Sequence, residues 1–176
     1  MESIDNQECP VCNSKSLTLT EDENDIPYFG KVYLFSMVCS ACKYNMSDIE
    51  AEQEKEPCKY TFEVSSEKDM NIRVVKSSQA SIKIPQLRMS VEPVNGSPGY
   101  ISNIEGILNR FEKIVEEQRD TVEEEEIKKI AKNLLKKIRK VKFGDIPVKI
   151  IIEDPSGNSA IISEKAVIEK LKSKKK

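Results

Sequence analysis

Cys9-Pro-Val-Cys12 and Lys31-Val-Tyr-Leu-Phe-Ser-Met-Val-Cys-Ser-Ala-Cys42 decide the reading of this chain. Two C-x-x-C pairs stand 26 residues apart, and a run rich in β-branched and aromatic residues, which reads as a strand, feeds the second. Each pair can close a tight knuckle whose backbone amides point at the sulfurs. Two knuckles brought together by a hairpin complete a tetrahedral thiolate cage around zinc. The interval exceeds the usual range for such sites and leaves room for two strands. Cys9, Cys12, Cys39 and Cys42 are therefore the expected ligands of one structural zinc ion. Four thiolates leave no open coordination position, which argues against a catalytic metal. Two redox C-x-x-C pairs or buried free thiols are the competing reading, but thioredoxin-type chemistry needs its pair at the start of a helix in a βαβ context. Cys58 reads as a spare thiol.

Working outward, a module of this size buries too little surface to fold alone, whereas a structural zinc contributes on the order of 10–16 kcal/mol in finger peptides. The metal is expected to fold it. The tract Asp48 to Glu56 is acidic and reads as a solvated connector, so residues 1–60 form the ribbon with its connector and residues 61–176 a second domain. The net charge of −2 hides an asymmetry: residues 1–62 carry 12 acidic and 5 basic side chains, while the remainder is net basic. The ribbon should repel phosphate.

The sequence has no histidine, which removes the commonest general base, the Ser-His-Asp and Cys-His dyads, and mixed Cys/His metal sites. No paired-carboxylate or nucleophile constellation stands out among the 30 acidic residues, so an enzyme is not expected. The N-terminal segment lacks a basic and an apolar region, and the most apolar later run, Ile146 to Ile152, is interrupted by Pro147 and Lys149. The expectation is no signal peptide and no membrane span, with five thiols in a reducing cytoplasm.

Beyond the connector the chain reads as mainly β with an α insertion. Ile72 and Val74, then Ile82 and Ile84, then Leu87, Met89 and Val91 alternate as strands with one dry face. Asn95-Gly96-Ser97-Pro98-Gly99 is a loop, and Ser102 with Glu105 suggests a capping box. Ile104, Ile107, Leu108, Phe111, Ile114 and Val115 line one face of a helix ending near Arg119. A second helix runs from about 121 to 141, started by Thr121 and Glu124, with the face Ile127, Ile130, Ala131, Leu134, Leu135 and Ile138. Its first turn is acidic and its last turns basic, as the macrodipole favours. The short connection makes an antiparallel hairpin over about 102–141. Val148 to Ile152 reads as a strand covered on both faces for part of its length, and Asp154-Pro155-Ser156-Gly157-Asn158 turns it back into Ala160-Ile161-Ile162 as a β-hairpin. A short helix over about Glu164 to Leu171 and a lysine tail end the chain.

These segments, in this order, resemble one known family, the ZPR-type zinc-finger proteins, over roughly residues 9–162. The C-x-x-C pairs alone are generic. The specific likeness lies in Ile26-Pro-Tyr-Phe-Gly-Lys-Val-Tyr-Leu-Phe-Ser-Met-Val-Cys-Ser-Ala-Cys-Lys-Tyr44, Arg73-Val-Val-Lys-Ser77, Ala80-Ser-Ile-Lys-Ile-Pro-Gln-Leu87, Gly99-Tyr-Ile-Ser-Asn-Ile-Glu-Gly-Ile-Leu108 and Ile152-Glu-Asp-Pro-Ser-Gly-Asn-Ser159. Lys43 departs from the pattern, standing where glycine is usual, and Ala160 stands where an aromatic is common. The resemblance implies a zinc ribbon followed by a double-stranded β-helix or jelly-roll-like domain that carries the helical hairpin. It also implies a role for the eukaryotic members, which hold two such units, in folding translation elongation factor one-alpha, with a receptor tyrosine kinase among other partners. This chain has one unit, like the shorter archaeal members.

The expected function is thus a non-enzymatic, cytoplasmic, monomeric adaptor or chaperone for an elongation factor one-alpha type GTPase. Tyr28, Phe29, Tyr33 and Phe35 would present the ribbon to a client segment. Asp154, Ser156, Gly157 and Asn158 read as a polar turn on chemistry alone, and the resemblance marks them as a functional surface. Arg73 and Lys76 are either solvated strand charges or partner contacts. The helical hairpin is either scaffold or client-binding, and the lysine tail either a solvated end or a weak nucleic-acid attractor. The alternative function, a nucleic-acid-binding zinc ribbon of transcription or translation, has the ribbon's acidity against it.

Overall fold

A computed structural model describes residues 1–26, 30–53, 55–94 and 97–171. Tyr28 and Phe29, the loop residues Asn95 and Gly96, and the lysine tail from Lys172 lie outside the described residues. Among those described, no helix is long and apolar enough to cross a membrane.

The ribbon is an antiparallel sheet of β1 (Glu2–Gln7), β2 (Leu17–Ile26), β3 (Gly30–Cys39) and β4 (Asn45–Ala51), in that spatial order. The long interval between the two cysteine pairs is spent on the ten-residue strands β2 and β3, which pair from Leu17–Cys39 out to Ile26–Gly30. The strand read into Lys31 to Val38 is β3. Because strand side chains alternate, the register fixes two faces. Val32 and Leu34 on β3, with Ile49 and Ala51 on β4, pack against Val75, Ala160, Tyr60 and Ile162 of the second domain. The opposite face carries Tyr33, Phe35 and Met37.

The second domain is a jelly roll. A five-stranded sheet runs β12 (Val167–Lys170), β5 (Cys58–Val64), β10 (Val148–Asp154), β7 (Ser81–Ile84), β8 (Met89–Val91), and a three-stranded sheet runs β11 (Ala160–Ile161), β6 (Arg73–Lys76), β9 (Tyr100–Asn103). Phe62 and Val64 of β5, Ile150 and Ile152 of β10, Val74 of β6 and Ile161 of β11 share one core with Ile104, Ile107 and Leu108 of α1 (Ile104–Thr121) and Ile138 and Val141 of α2 (Glu125–Lys142). The helical hairpin is therefore an insertion between β9 and β10 whose base belongs to the core. Further along, Val115, Ala131 and Leu135 form a smaller cluster. Ile127 and Ile130, expected on the packed face of α2, are exposed, because α1 covers that face only in part.

Five local expectations are corrected. The last segment is not a helix: Val167–Lys170 is strand β12, paired with β5 from Val167–Thr61 to Lys170–Cys58. Without it the outer N–H and C=O groups of β5 would have no ladder partner, and that demand outweighs weak local helix propensity. Val148–Asp154 and Ala160–Ile161 do not form a hairpin, because β10 pairs with β5 and β7 while β11 crosses to pair with β6 in the other sheet. Asn103, not Ser102, caps α1, accepting from Gly106 N at 2.8 Å. Thr121 does not cap α2: it closes α1, its hydroxyl donating to Glu117 O at 2.8 Å. Leu87 lies in a 3-10 turn, Pro85–Leu87, before β8.

Candidate metal centre

Both knuckles are built by the same backbone device. Asn13 N donates to Cys9 O at 2.9 Å and Lys43 N to Cys39 O at 3.0 Å, while Cys9 N and Cys39 N donate to Ser14 O and Tyr44 O at 2.9 and 2.8 Å. The residue after each second cysteine is left-handed, Asn13 at φ 55° and Lys43 at φ 63°. Glycine is the easiest residue for that conformation, and lysine accepts it here at a modest energetic cost. Cys9 and Cys39 are buried, Cys12 and Cys42 exposed.

The four Sγ atoms lie within 4.8 Å of one another, with Cys9 to Cys42 at 3.7 Å and Cys12 to Cys39 at 3.8 Å. A tetrahedron with zinc–sulfur bonds of about 2.3 Å has edges of about 3.8 Å, so the sulfurs already stand at zinc spacing. Cys39 and Cys12 are also prepared for deprotonation, whereas at Cys42 the N–H of Tyr44 is outweighed by burial and the neighbouring cysteines, which push it up to about 12. The backbone N–H of Cys42, followed by that of Ala41, outweighs desolvation and brings Cys39 down to about 6. The Ser14 hydroxyl, 3.0 Å from Cys12 Sγ, heads the contacts that hold Cys12 below its ordinary value. A bound ion would have a closed set of four thiolates, tying the hairpin β2–β3 to both knuckles.

The segment read as a polar functional turn is folded inward. Asp154 is fully buried, and Ser156 and Asn158 nearly so. Asp154 Oδ1 accepts from Ser156 N at 2.8 Å and Ser156 Oγ at 2.7 Å, and Oδ2 accepts from Ser159 Oγ at 2.6 Å. Ser159 Oγ in turn accepts from Ser77 N at 3.0 Å. Gly157 adopts φ +69°, and a Cβ there would lie 2.3 Å from Glu56 O. Ser156 O accepts from Lys55 N at 2.8 Å. The turn is thus a brace that holds the connector leaving the ribbon.

Lys76 is 4% exposed and donates to Ser77 O at 3.0 Å. Burial pushes its ammonium below the ordinary value; Asp154 and Asp48 oppose that shift and Arg110 adds to it. The Tyr100 ring lies 5.6 Å from Lys76 Nζ and 4.0 Å from Arg110 Cζ. Arg73, at the start of β6, is exposed. Among the residues expected to meet a partner, the structure therefore opens Tyr33, Phe35 and Arg73 to solvent at least in part and encloses Lys76, Asp154, Ser156 and Asn158.

Comparison with known proteins decides the family. The zinc-finger domain of the ZPR1 family matches residues 2–57, and its jelly-roll domain matches residues 68–175. The chain belongs to the ZPR1 family. An uncharacterized ZPR1-like protein of Methanocaldococcus jannaschii is 41% identical over 93% of this chain and 83% of its own length, and another from Pyrococcus horikoshii is 39% identical over 93% and 75%. The zinc finger chaperone zpr1 of Schizosaccharomyces pombe is 28% identical over 88% of this chain but only 33% of its own length. This ZPR1 member is thus a zinc-binding protein whose single ribbon and single jelly roll correspond to about a third of the eukaryotic protein.

Sequence reading missed Ser77 and Ser159 of the ZPR1 brace, and a separate contact between ribbon and jelly roll made by Asp48 and Gly99. Ser77 and Ser159 stood inside quoted motifs, but nothing local says that two serines 82 residues apart share a hydrogen bond. Asp48 looked like one more acid of a solvated tract, yet its Oδ1 accepts from Gly99 N at 2.6 Å.

Proposed function

We propose that this ZPR1 member is a non-enzymatic adaptor or chaperone that acts as a monomer in the cytoplasm, binding an elongation factor one-alpha type GTPase and assisting its folding. The name of the fission-yeast relative, a zinc finger chaperone, supports the general role, and the likeness to the ZPR-type family supports the client. The observation that carries the reading is the outer face of the ribbon. Met37 stands opposite Leu19 and Met46, and Leu19 opposite Ile4, so four strands contribute one apolar row. Phe35 lies beside it between Glu21 and Asp48, and Tyr33 between Glu23 and Glu50. Ile4, Leu19, Phe35 and Met37 line a concavity of about 210 Å³. An apolar hollow rimmed by carboxylates fits a client segment with apolar side chains flanked by lysine or arginine. The same rim disfavours phosphate, and hence the nucleic-acid reading for this module.

In this proposal the buried residues Lys76, Asp154, Ser156 and Asn158, with the half-buried Gly157, fix the ribbon against the jelly roll, while Tyr28, Phe29, Tyr33, Phe35 and Arg73 provide contacts. Purified protein and the GTPase of its host, mixed with and without guanine nucleotide, should co-elute on a sizing column. Phe35→Ala should weaken association tenfold or more at unchanged zinc content. No association in any nucleotide state overturns the proposal.

A further inference from the structure

A second surface, distant in sequence from the ribbon and independent of the proposed client, carries a charge pattern that helix stability does not explain. Lys128, Lys132, Lys136 and Lys140 follow one another at four-residue steps along α2, with Lys129 and Lys137 beside them. Like charges at that spacing lie one above the other and destabilise a helix by about 0.2–0.5 kcal/mol per pair. Macrodipole compensation accounts for basic residues only in the last turn, which leaves Lys129, Lys132 and Lys136 without that justification. Lys128 is paired with Glu125 at 3.1 Å, and the nearby Arg139 and Lys142 are paired with Glu112. Among the described residues, no carboxylate pairs with Lys129, Lys132, Lys136, Lys137 or Lys140, and all five are exposed.

We propose that the outer face of α2 docks on the phosphate backbone of double-helical nucleic acid. From Lys129 to Lys140 the helix rises about 16 Å, and about five phosphates of one strand pass over that length of duplex axis. Five unpaired ammonium groups spread along one side of the helix match a polyanion of regular spacing. Within Lys129 to Lys140 no side chain is aromatic, and Phe143, exposed at the C-terminal end of α2, is a single ring that cannot line successive unpaired bases, so the fit is to the backbone of a duplex and not to a single strand. A membrane surface fits less well, because most of the apolar side of α2 is occupied: Ala131, Leu135, Ile138 and Val141 are buried against the rest of the protein, which leaves only Ile127 and Ile130 of that side exposed, too little apolar area to anchor the helix in a bilayer interface. The resulting molecule has two unlike surfaces, an acidic ribbon for protein and the basic outer face of α2 for nucleic acid.

The test is binding of the full chain to fluorescently labelled 20-base-pair RNA and DNA duplexes, followed by anisotropy from 50 to 200 mM salt. The expected result is binding to duplex whose affinity falls steeply with salt. Lys132→Gln/Lys136→Gln/Lys140→Gln should weaken binding about tenfold or more at 50 mM salt and reduce the slope of log affinity against log salt by about 3. Unchanged circular dichroism and zinc content establish that the variant is folded. A second variant replaces Lys172 and Lys174 to Lys176 with glutamine and should keep most of the affinity. The proposal is overturned by no binding at 50 mM salt, by loss of binding in the tail variant with retention in the α2 variant, or by equal binding to phosphatidylserine vesicles or polyglutamate. Preference between RNA and DNA identifies the source of the duplex. Elongation-factor binding by the α2 variant is measured in parallel, so the two proposals fail separately.

Discussion

Gly99 lies so close to Ile49 that a β-carbon built on it would sit 2.5 Å from the Ile49 carbonyl oxygen and 2.8 Å from Ile49 Cγ2. Gly99 precedes β9 of the jelly roll and Ile49 belongs to β4 of the ribbon, so this contact sets how closely the two parts approach. Asp48 fixes it from the other side through the 2.6 Å bond from Gly99 N. Gly99→Ala must push backbone away, and the expected cost is about 1–3 kcal/mol. Urea unfolding should show the lower midpoint, and zinc content should stay at one per chain, since the knuckles are remote from the contact.

Asp154→Ala removes the common acceptor of Ser156 and Ser159 and leaves their buried hydroxyls without it. Each stranded polar group costs about 1–3 kcal/mol. The expected loss is about 3 kcal/mol, with a smaller loss for Asp154→Asn, which keeps one acceptor oxygen. Equal stability of wild type and Asp154→Ala would contradict the brace.

Zinc should hold the ribbon and leave the jelly roll to its own core. Metal analysis is expected to return one zinc per chain and none for Cys39→Ser. A structural site of this kind contributes about 10–16 kcal/mol in finger peptides. Hydrogen exchange after chelation should therefore show the amides of β2 and β3 deprotected while Phe62, Ile150 and Ile152, all at 0% exposure in the jelly-roll core, stay protected.

Glu112 on α1 ties the hairpin through Lys142 and Arg139 of α2. Burial works against its ionised form, yet the hydrogen bond and charge of Lys142, with those of Arg139, hold the carboxyl below its ordinary value of 4.5. A carboxyl with a depressed folded-state pKa stabilises above its unfolded value and loses that contribution as pH falls through the folded one. The stability of wild type should therefore fall more steeply below about pH 4.5 than that of Glu112→Gln. At neutral pH the variant should be less stable by about 1 kcal/mol. Parallel pH profiles for the two proteins would show that the bridge contributes nothing.

The legible parts of this protein were those with local causes. C-x-x-C spacing implies a knuckle whatever surrounds it, and the ten-residue strands between the pairs follow from the length of the interval. The helical hairpin was readable because apolar residues at three- and four-residue steps have few other uses. Its caps were less legible: Ser102 and Asn103 are both good cap residues, and the final hydrogen bond to Gly106 depends on how β9 delivers the chain. The terminal strand was misread because Glu164 to Leu171 has no strong local preference and its conformation is imposed by the open edge of β5.

By itself the sequence determined the four cysteines of the metal centre, the acidity of the ribbon and the two inserted helices, since each rests on composition, on neighbours within a few residues or on a fixed chemical valence. Only the tertiary structure decided that Asp154 to Ser159 turns inward, that Lys76 is enclosed beside Tyr100, and that β11 crosses to the second sheet. Those outcomes depend on where buried polar groups find partners, and the partners lie as far as 82 residues away, at Ser77 for Ser159. A buried carboxylate must be satisfied by whatever the fold brings within reach, and that reach is a property of the assembled sheets.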